Sequence, residues 1–186
     1  MADSGFPRLV SLACHDLRTP LATIGGFAKT LSRNDELDER SARFVDLIDA
    51  AADQMTALLE LLGLAARIEA GRYEPALTTA DTLDLASSDD ARVRTVGSGT
   101  DVETDVAAVS TALDALAVAA VRHGGIGEAT WTVDGRVLDL TPVTDAAAPV
   151  VTGEEPKDLG ALVAHRALQA LGVAVELDGD RLRIGF

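Results

Sequence analysis

The sequence has a single cysteine, Cys14, and aromatic residues make up only 3% of its 186 residues. One cysteine excludes an internal disulfide framework and a zinc site built from several cysteines, and it fits a reducing compartment. With so few aromatic side chains, the core has to be built from the abundant Ala, Leu and Val, which suits closely packed helices. These absences favour a helical bundle in some part of the chain.

Positive charge is also scarce. The chain has 16 Lys and Arg against 30 Asp and Glu, which gives a net charge of -14 at pH 7. Nucleic acids and anionic membranes require clustered positive charge, so neither is expected as a partner. Residues 1–72 hold 8 basic and 11 acidic side chains, and the remainder holds 8 and 19. Most of the negative charge therefore belongs to the C-terminal part.

Long apolar runs are missing as well. No uncharged run approaches the ~20 residues that cross a bilayer, and residues 1–8 lack a basic segment followed by an apolar one. The sequence therefore predicts a cytoplasmic protein without a membrane segment. It leaves open whether the chain is complete or once continued into an upstream sensor.

Apolar or small residues recur at alternating steps of four and three over residues 10–31 and again over residues 44–65. This spacing predicts two amphipathic helices joined by the polar break 32–38. Gly71 is expected to cap the second helix, and Pro75 prevents its continuation. The residues that form the apolar stripe of each helix are called its seam. The predicted seams are Val10, Cys14, Leu17, Leu21, Ile24, Ala28 and Leu31 in the first helix, and Phe44, Ile48, Ala51, Met55, Leu58, Leu62 and Ala65 in the second.

Each of the two predicted helices carries an apolar stripe that is too wide for the other helix to bury. Pairing two such hairpins into a four-helix bundle buries both stripes, which predicts a homodimer. In the alternative, the C-terminal part of the same chain covers the stripe and the protein is a monomer.

The second part of the chain has short β-like runs mixed with helices, so the predicted class is α+β. A helical hairpin domain at 1–75 is followed by a reduced α/β sandwich at 76–186. The Asp-Gly pairs at 134–135 and 178–179 indicate tight hairpin turns. The predicted elements are strands at 92–96, 129–133 and 137–140, helices at 105–122 and 157–171, and a loop at 144–156.

The segment 11–21, SLACHDLRTPL, carries the most chemical information. It resembles the H-box of sensor histidine kinases, in which the histidine is phosphorylated and an acidic residue and a proline follow. Residues 58–71, LLELLGLAARIEAG, look like the end of the same family's dimerisation helix. The resemblance covers about residues 8–75 and implies that His15 is the phosphoacceptor.

The residues around His15 fit that chemistry. His15 follows the seam residue Cys14, and because consecutive helix residues are rotated by ~100°, its ring is expected to face solvent. Asp16 is expected to accept a proton from one ring nitrogen and leave the lone pair of the other free, as general base and orienting group. Thr19, one turn later, has a hydroxyl able to position a water. In the resembling family, an acidic residue followed three places later by Thr supports dephosphorylation of the partner.

Two further residues are assigned structural roles at the site, Arg18 and Pro20. Proline has no N–H, so Pro20 frees the carbonyl four residues earlier and is expected to bend the helix below His15. His123 and His165 are interpreted as ordinary side chains, because no metal-binding cluster accompanies them in the sequence.

The segment 112–125, ALDALAVAAVRHGG, resembles the N-box helix of the kinases' ATP-binding domain. Ala119 stands where that family has the Asn that ligates magnesium, and a methyl group cannot coordinate a hard cation. The adenine-reading loop is reduced to 145–149, DAAAP, and the glycine-rich lid to 158–161, DLGA, so few backbone amides can approach phosphates. We therefore expect a degenerate domain that binds no cofactor and no metal.

Together these features resemble the dimeric histidine phosphotransferases of two-component phosphorelays. That resemblance implies exchange of phosphate between His15 and the receiver-domain aspartate of response regulators, without ATP hydrolysis and with Mg²⁺ supplied by the receiver. Two alternatives remain. One is a divergent sensor histidine kinase or receiver phosphatase that keeps an altered nucleotide site. The other is a non-catalytic pseudokinase scaffold.

Overall fold

The structure is a computed structural model that describes residues 5–33, 37–88 and 90–186. The chain divides into two compact units, Met1–Arg72 and Tyr73–Phe186. The first unit is a helical hairpin, and the second combines a mixed sheet with helices. The α+β class and the order of the two parts predicted from the sequence are therefore confirmed.

The first unit consists of two long helices, α1 (Gly5–Ser32) and α2 (Glu39–Glu69), which pack against each other. Asp38 caps α2, because its carboxylate accepts a hydrogen bond from the backbone N–H of Ser41 at 2.9 Å. After α2, Gly71 has a φ of +61°, a left-handed conformation that ends the helix as predicted. Part of the predicted polar break, residues 34–36, lies outside the described residues.

The predicted seam of α1 divides into two alternating sets. Cys14, Leu21 and Ala28 are buried in the hairpin. The members between them, Leu17, Ile24 and Leu31, are about half exposed. Each set repeats every seven residues, so the two sets form adjacent stripes, of which α2 covers one.

Most of the apolar stripe predicted for α2 does not face α1. The residues that α2 buries belong to the neighbouring face and include Val45, Ala52 and Leu61. Spacing alone detects an apolar stripe, but it does not tell which stripe faces the partner helix. The predicted seam residues that are exposed are Phe44, Ile48, Ala51, Met55 and Leu58.

The second unit is built from short strands and four helices within residues 73–88 and 90–186. The strands are β1 (Leu77–Asp81), β2 (Val93–Gly99), β3 (Asp101–Asp105), β4 (Ala129–Gly135), β5 (Val137–Thr141), β6 (Ala174–Asp178) and β7 (Arg181–Gly185). The helices are α3 (Thr82–Leu85), α4 (Val106–Gly124), α5 (Ala148–Val151) and α6 (Leu159–Ala170).

Five strands form the main sheet, in the order β2, β4, β5, β7, β6. The β2–β4 pair is parallel and the other pairs are antiparallel. Gly135, the last residue of β4, and Gly179, between β6 and β7, have positive φ, which confirms the two predicted hairpins. The sequence did not predict β1 and β3, which pair in a separate two-stranded sheet, nor α3 and α5, because such short segments show little periodicity.

The core of this unit contains the fully buried Trp131, together with buried residues of α4, α5 and α6. Within the part of the chain that the structure describes, α4 alone is long and apolar enough to cross a membrane by length and composition, with a mean hydropathy of 1.4. Its residues Leu113 and Leu116 are fully buried in the core, which accounts for the apolar character of this helix.

Candidate functional site

His15 lies in the first half of α1, next to the hairpin's buried stripe. Cys14 is only 3% exposed, whereas the side chain of His15 is 79% exposed. The rotation between consecutive helix residues produces this contrast, since burying one residue turns the next outward. The imidazole is therefore accessible from solvent.

Asp16 contacts the His15 ring. The Nδ1 atom of His15 lies 3.1 Å from Oδ1 of Asp16, and both side chains are largely exposed. An ionised carboxylate only accepts hydrogen bonds, so this contact favours the neutral tautomer that carries its proton on Nδ1. In that tautomer the Nε2 atom has a free lone pair, the form of imidazole that acts as a nucleophile.

Arg18 and Thr19 lie beside His15 in a shallow, open depression on the surface of α1. Ala22 and Thr23 complete its lining. The Thr23 hydroxyl donates to the carbonyl of Thr19 at 3.1 Å, so that hydroxyl is already used inside the helix. The structure thus brings together His15, a cation and the Thr19 hydroxyl on one surface of the helix.

Pro20 lies on the same helix, and α1 continues through it from Gly5 to Ser32. Because proline lacks an N–H, the carbonyl of Asp16 receives no helical hydrogen bond from position 20. Pro20 therefore removes one backbone hydrogen bond of α1 in the turn that follows His15. The bend predicted there stays a prediction.

In the second unit, three alanines at positions where the resemblance would place nucleotide-binding groups are buried in apolar surroundings. Ala119, Ala147 and Ala161 are each at most 1% exposed and belong to the hydrophobic core. Asp145, the one carboxylate in the remnant of the adenine loop, is exposed. Methyl groups offer no ligand to a hard cation.

Asp158, at the remnant of the lid, is at the centre of a polar cluster that the sequence did not predict. Its Oδ1 accepts the backbone N–H of Ala161 at 3.1 Å and caps α6. Its Oδ2 lies 2.9 Å from Nη1 of Arg122 and 3.2 Å from Nε2 of His123. The adjacent pair Arg122-His123 at the end of a helix was the only sequence signal for it.

The surroundings of Asp158 favour its ionised form. Burial opposes ionisation, but the Ala161 N–H, the hydrogen bond with His123 and the charge of Arg122 outweigh it and hold the pKa of Asp158 below its ordinary value. His123 is thus a partner of a carboxylate rather than an isolated side chain. Among the described residues, no group of three or more His, Cys, Asp and Glu is placed to hold a metal ion.

Comparisons with known proteins agree with these two units. Residues 8–71 match the HisKA family model, the His Kinase A (phospho-acceptor) domain. A crystal structure of full-length ShkA in complex with AMPPNP matches with a TM-score of 0.61 and 19% identity, over 96% of this chain and 44% of that chain. The histidine kinase AdeS of Acinetobacter baumannii matches with a TM-score of 0.50 and 17% identity, over 91% of this chain and 94% of that chain. No curated protein sequence matches.

The hairpin therefore matches a phospho-acceptor domain of the His Kinase A family over residues 8–71, and the hairpin followed by a small α/β unit has the architecture of a histidine kinase core. The chain spans less than half of the length of ShkA.

Proposed function

We propose that the protein is a histidine phosphotransferase of a two-component phosphorelay, which exchanges a phosphoryl group between His15 and the receiver-domain aspartate of a response regulator. The observation that carries this proposal is the exposed His15 imidazole, whose Nδ1 contacts Asp16 while Nε2 faces away from that contact. In this proposal ATP is not hydrolysed.

Transfer begins with Nε2 of His15 attacking the phosphorus of the receiver's aspartyl phosphate. The N–P bond forms as the bond from phosphorus to the carboxylate oxygen breaks, and the receiver's aspartate leaves as a free carboxylate. The imidazole, which enters with one proton on Nδ1, becomes positively charged during attack. Asp16 stabilises this charge through its contact with Nδ1. The reverse sequence of bond changes returns the phosphoryl group to a receiver.

Arg18 and Thr19 have distinct parts in this scheme. Arg18 lines the depression beside His15, and in this proposal its guanidinium partly neutralises the charge of an incoming phosphoryl group. The hydroxyl of Thr19 positions a water that hydrolyses the phosphoryl group, a side reaction that competes with transfer. Mg²⁺ belongs to the acidic pocket of the receiver, and this chain supplies no ligand to it.

The second unit supports a phosphotransferase rather than an ATP-dependent kinase. Ala119 and Ala161 are closed into the apolar core, so a nucleotide could reach their positions only by displacing core residues. The large negative charge of this part of the chain also disfavours a polyphosphate. In this proposal the unit acts as a docking or stabilising module and binds no cofactor.

A homodimer follows from the stripes that the hairpin leaves uncovered. Leu17, Ile24 and Leu31 of α1 are exposed, as are Phe44, Ile48 and Met55 of α2. A second copy of the hairpin buries both stripes in a four-helix bundle. The chain's acidity supports a protein that binds neither nucleic acid nor an anionic membrane. A cytoplasmic location is part of this proposal.

The deciding experiment offers the purified chain a phosphorylated receiver domain or ATP as the sole phosphate source, using each receiver from the same genome in turn. The proposal expects label on the wild-type chain from at least one receiver, no label from ATP alone, and no label on His15→Gln. His165→Gln is the matched control and should be labelled like wild type.

Other outcomes decide for the alternatives. Labelling of His15 by ATP alone would establish a divergent kinase. Loss of the receiver's phosphate to water, without label on the chain, would establish a phosphatase that uses Asp16 and Thr19. Normal signalling by His15→Gln in cells would establish a non-catalytic scaffold.

A further inference from the structure

The segment that follows α2 is attached to the second unit through Asp105. The Tyr73 hydroxyl donates to Oδ2 of Asp105 at 2.9 Å, and the backbone N–H of Ala76 donates to the same oxygen at 3.2 Å. Asp105 is only 8% exposed and is the N-cap of α4, where its Oδ1 accepts the backbone N–H of Ala108 at 3.1 Å. One carboxylate therefore joins the connecting segment to the first turn of α4.

The other end of this segment is bound to α2. The backbone N–H of Gly71 donates to the carbonyl of Ile68 at 2.9 Å, and that of Arg72 donates to the carbonyl of Arg67 at 2.9 Å. With the positive φ of Gly71, these two bonds form a Schellman motif at the end of the helix. The N–H of Arg72 therefore belongs to the hairpin, whereas the side chain of the next residue, Tyr73, is bound within the second unit.

The chain between Tyr73 and Ala76 has little freedom of its own. Proline fixes its own φ and disfavours the helical region for the residue before it, so Pro75 restricts Glu74 as well. Ala76 is held by Asp105 directly before β1 begins. With Tyr73 also held at its hydroxyl, both ends of this stiff segment are fixed to the second unit.

We propose that the Tyr73–Asp105 hydrogen bond is a clamp that makes residues 73–76 part of the second unit and confines the pivot between the two units to the backbone of Arg72. When the clamp opens, Ala76 becomes the first anchored residue and the free connection extends over residues 72–75. The clamp thus sets how freely the two units move while both stay folded. The inference concerns the connection between the units and does not depend on phosphotransfer by His15.

Tyr73→Phe in the full chain tests the clamp, because it removes only the hydroxyl and leaves Asp105 as the cap of α4. Hydrogen exchange measures the local effect. We expect the Ala76 amide to exchange about 10-fold faster in this variant, since loss of a hydrogen bond to a carboxylate makes local opening more frequent. The Ala108 amide, which is bound by the other oxygen of the same carboxylate, is the internal control and should be unchanged.

Cleavage by trypsin after the exposed Arg72 gives a second measure. A protease binds several extended residues around the bond that it cuts, so cleavage there requires the clamp to open. This cleavage should be about 10-fold faster in Tyr73→Phe, whereas cleavage after Arg94 in β2 should keep its rate. Thr95→Val is the matched control, because it removes another side-chain hydrogen bond of the same unit, from the Thr95 hydroxyl to the Ala86 carbonyl at 2.6 Å. It should be cut after Arg72 like wild type.

Rotational tumbling distinguishes a clamp from ordinary local stabilisation. Trp131 is the only tryptophan of the chain and is fully buried in the second unit, so NMR relaxation of its indole N–H reports the tumbling of that unit. We expect a shorter rotational correlation time in Tyr73→Phe than in wild type or Thr95→Val. The longer free connection lets the unit rotate more independently of the hairpin.

The outcomes decide the proposal. Faster Ala76 exchange, faster cleavage after Arg72 and faster tumbling that are confined to Tyr73→Phe support it. An unchanged Ala76 amide or unchanged tumbling overturns it. Equal acceleration at Ala108 or Arg94 also overturns it, because the hydroxyl would then stabilise the unit as a whole, and a Tyr73→Phe chain that does not fold leads to the same conclusion.

Discussion

The Nδ1 atom of His15 lies 3.1 Å from Oδ1 of Asp16, at a position on α1 where both side chains are mostly exposed to solvent. The two groups are adjacent in sequence, so their contact needs no other element of the fold. Orientation of the imidazole is therefore a property of the helix itself.

Asp16→Ala should slow transfer from a phosphorylated receiver to His15 and leave the oligomeric state unchanged. Loss of the orienting carboxylate should lower the transfer rate about 10- to 100-fold, at the low end of general acid–base effects because the pair is exposed. Single-turnover labelling with a phosphorylated receiver measures the rate. Asp16→Glu, which keeps the carboxylate, is the control and should recover part of it. Transfer at the wild-type rate in Asp16→Ala would remove Asp16 from the mechanism.

Thr19→Ala should change the loss of phosphate to water and leave transfer to His15 almost unaffected. The hydroxyl that positions the water is gone, whereas the nucleophile and Asp16 remain. The release of inorganic phosphate from a mixture of receiver and chain measures this loss. Thr23→Ala is the matched control, because that hydroxyl lines the same depression but already donates to the carbonyl of Thr19. Equal release by wild type and Thr19→Ala would contradict the role.

Ala119→Asn should not create a nucleotide site. Position 119 is 1% exposed and lies among apolar residues, so a buried amide without partners should lower the stability of the unit by about 1–3 kcal/mol. Unfolding followed by Trp131 fluorescence measures this loss, and incubation with labelled ATP should leave His15 unlabelled. Thr111→Asn, at an exposed position of the same helix, should be nearly neutral. A stable Ala119→Asn protein that is labelled by ATP would contradict the claim that position 119 lies in an apolar core closed to nucleotides.

A glutamate in either uncovered stripe should break the dimer. Ile24→Glu and Met55→Glu each place a charge in the proposed bundle interior, and burying it unpaired should weaken the dimer by roughly 100-fold or more. Sedimentation or light scattering across a concentration series measures the shift to monomer. Gln54→Glu, at an exposed polar position of α2, should remain dimeric. If the wild type is monomeric at every concentration, the four-helix bundle is wrong.

The pair formed by Asp90 and Arg92 should contribute acid-sensitive stability. Hydrogen bonds from the Arg92 side chain and backbone N–H lower the pKa of Asp90 from 3.8 to about 2. Because the folded state holds the carboxylate ionised, this stability is full above the unfolded pKa of 3.8 and is lost as the pH falls through about 2. The stability difference between wild type and Asp90→Asn should shrink over that range. Asp134→Asn, at an exposed position near the end of β4, is the control, and a difference independent of pH would contradict the assignment.

Local patterns in the sequence were sufficient for the elements that depend on neighbouring residues. The 3–4 spacing located α1 and α2, and Gly71 located the end of α2. The Asp-Gly pairs located the β4–β5 and β6–β7 hairpins, in which Gly135 and Gly179 have positive φ. The exposure of His15 also followed from its place beside Cys14. Each of these properties is set by backbone geometry over a few residues.

Contacts between distant segments required the tertiary structure. On α2, Val45 and Ala52 are buried and Phe44 is exposed. Which of the two apolar stripes of α2 packs against α1 depends on how the two helices fit together. The meeting of Asp158 with Arg122 and His123 joins positions 35 and 36 residues apart, which no local pattern encodes. The sequence by itself determined the helices, turns and exposed imidazole, because these follow from local geometry. Only the tertiary structure decided which stripe is buried and which charges meet, because those outcomes depend on packing across the chain.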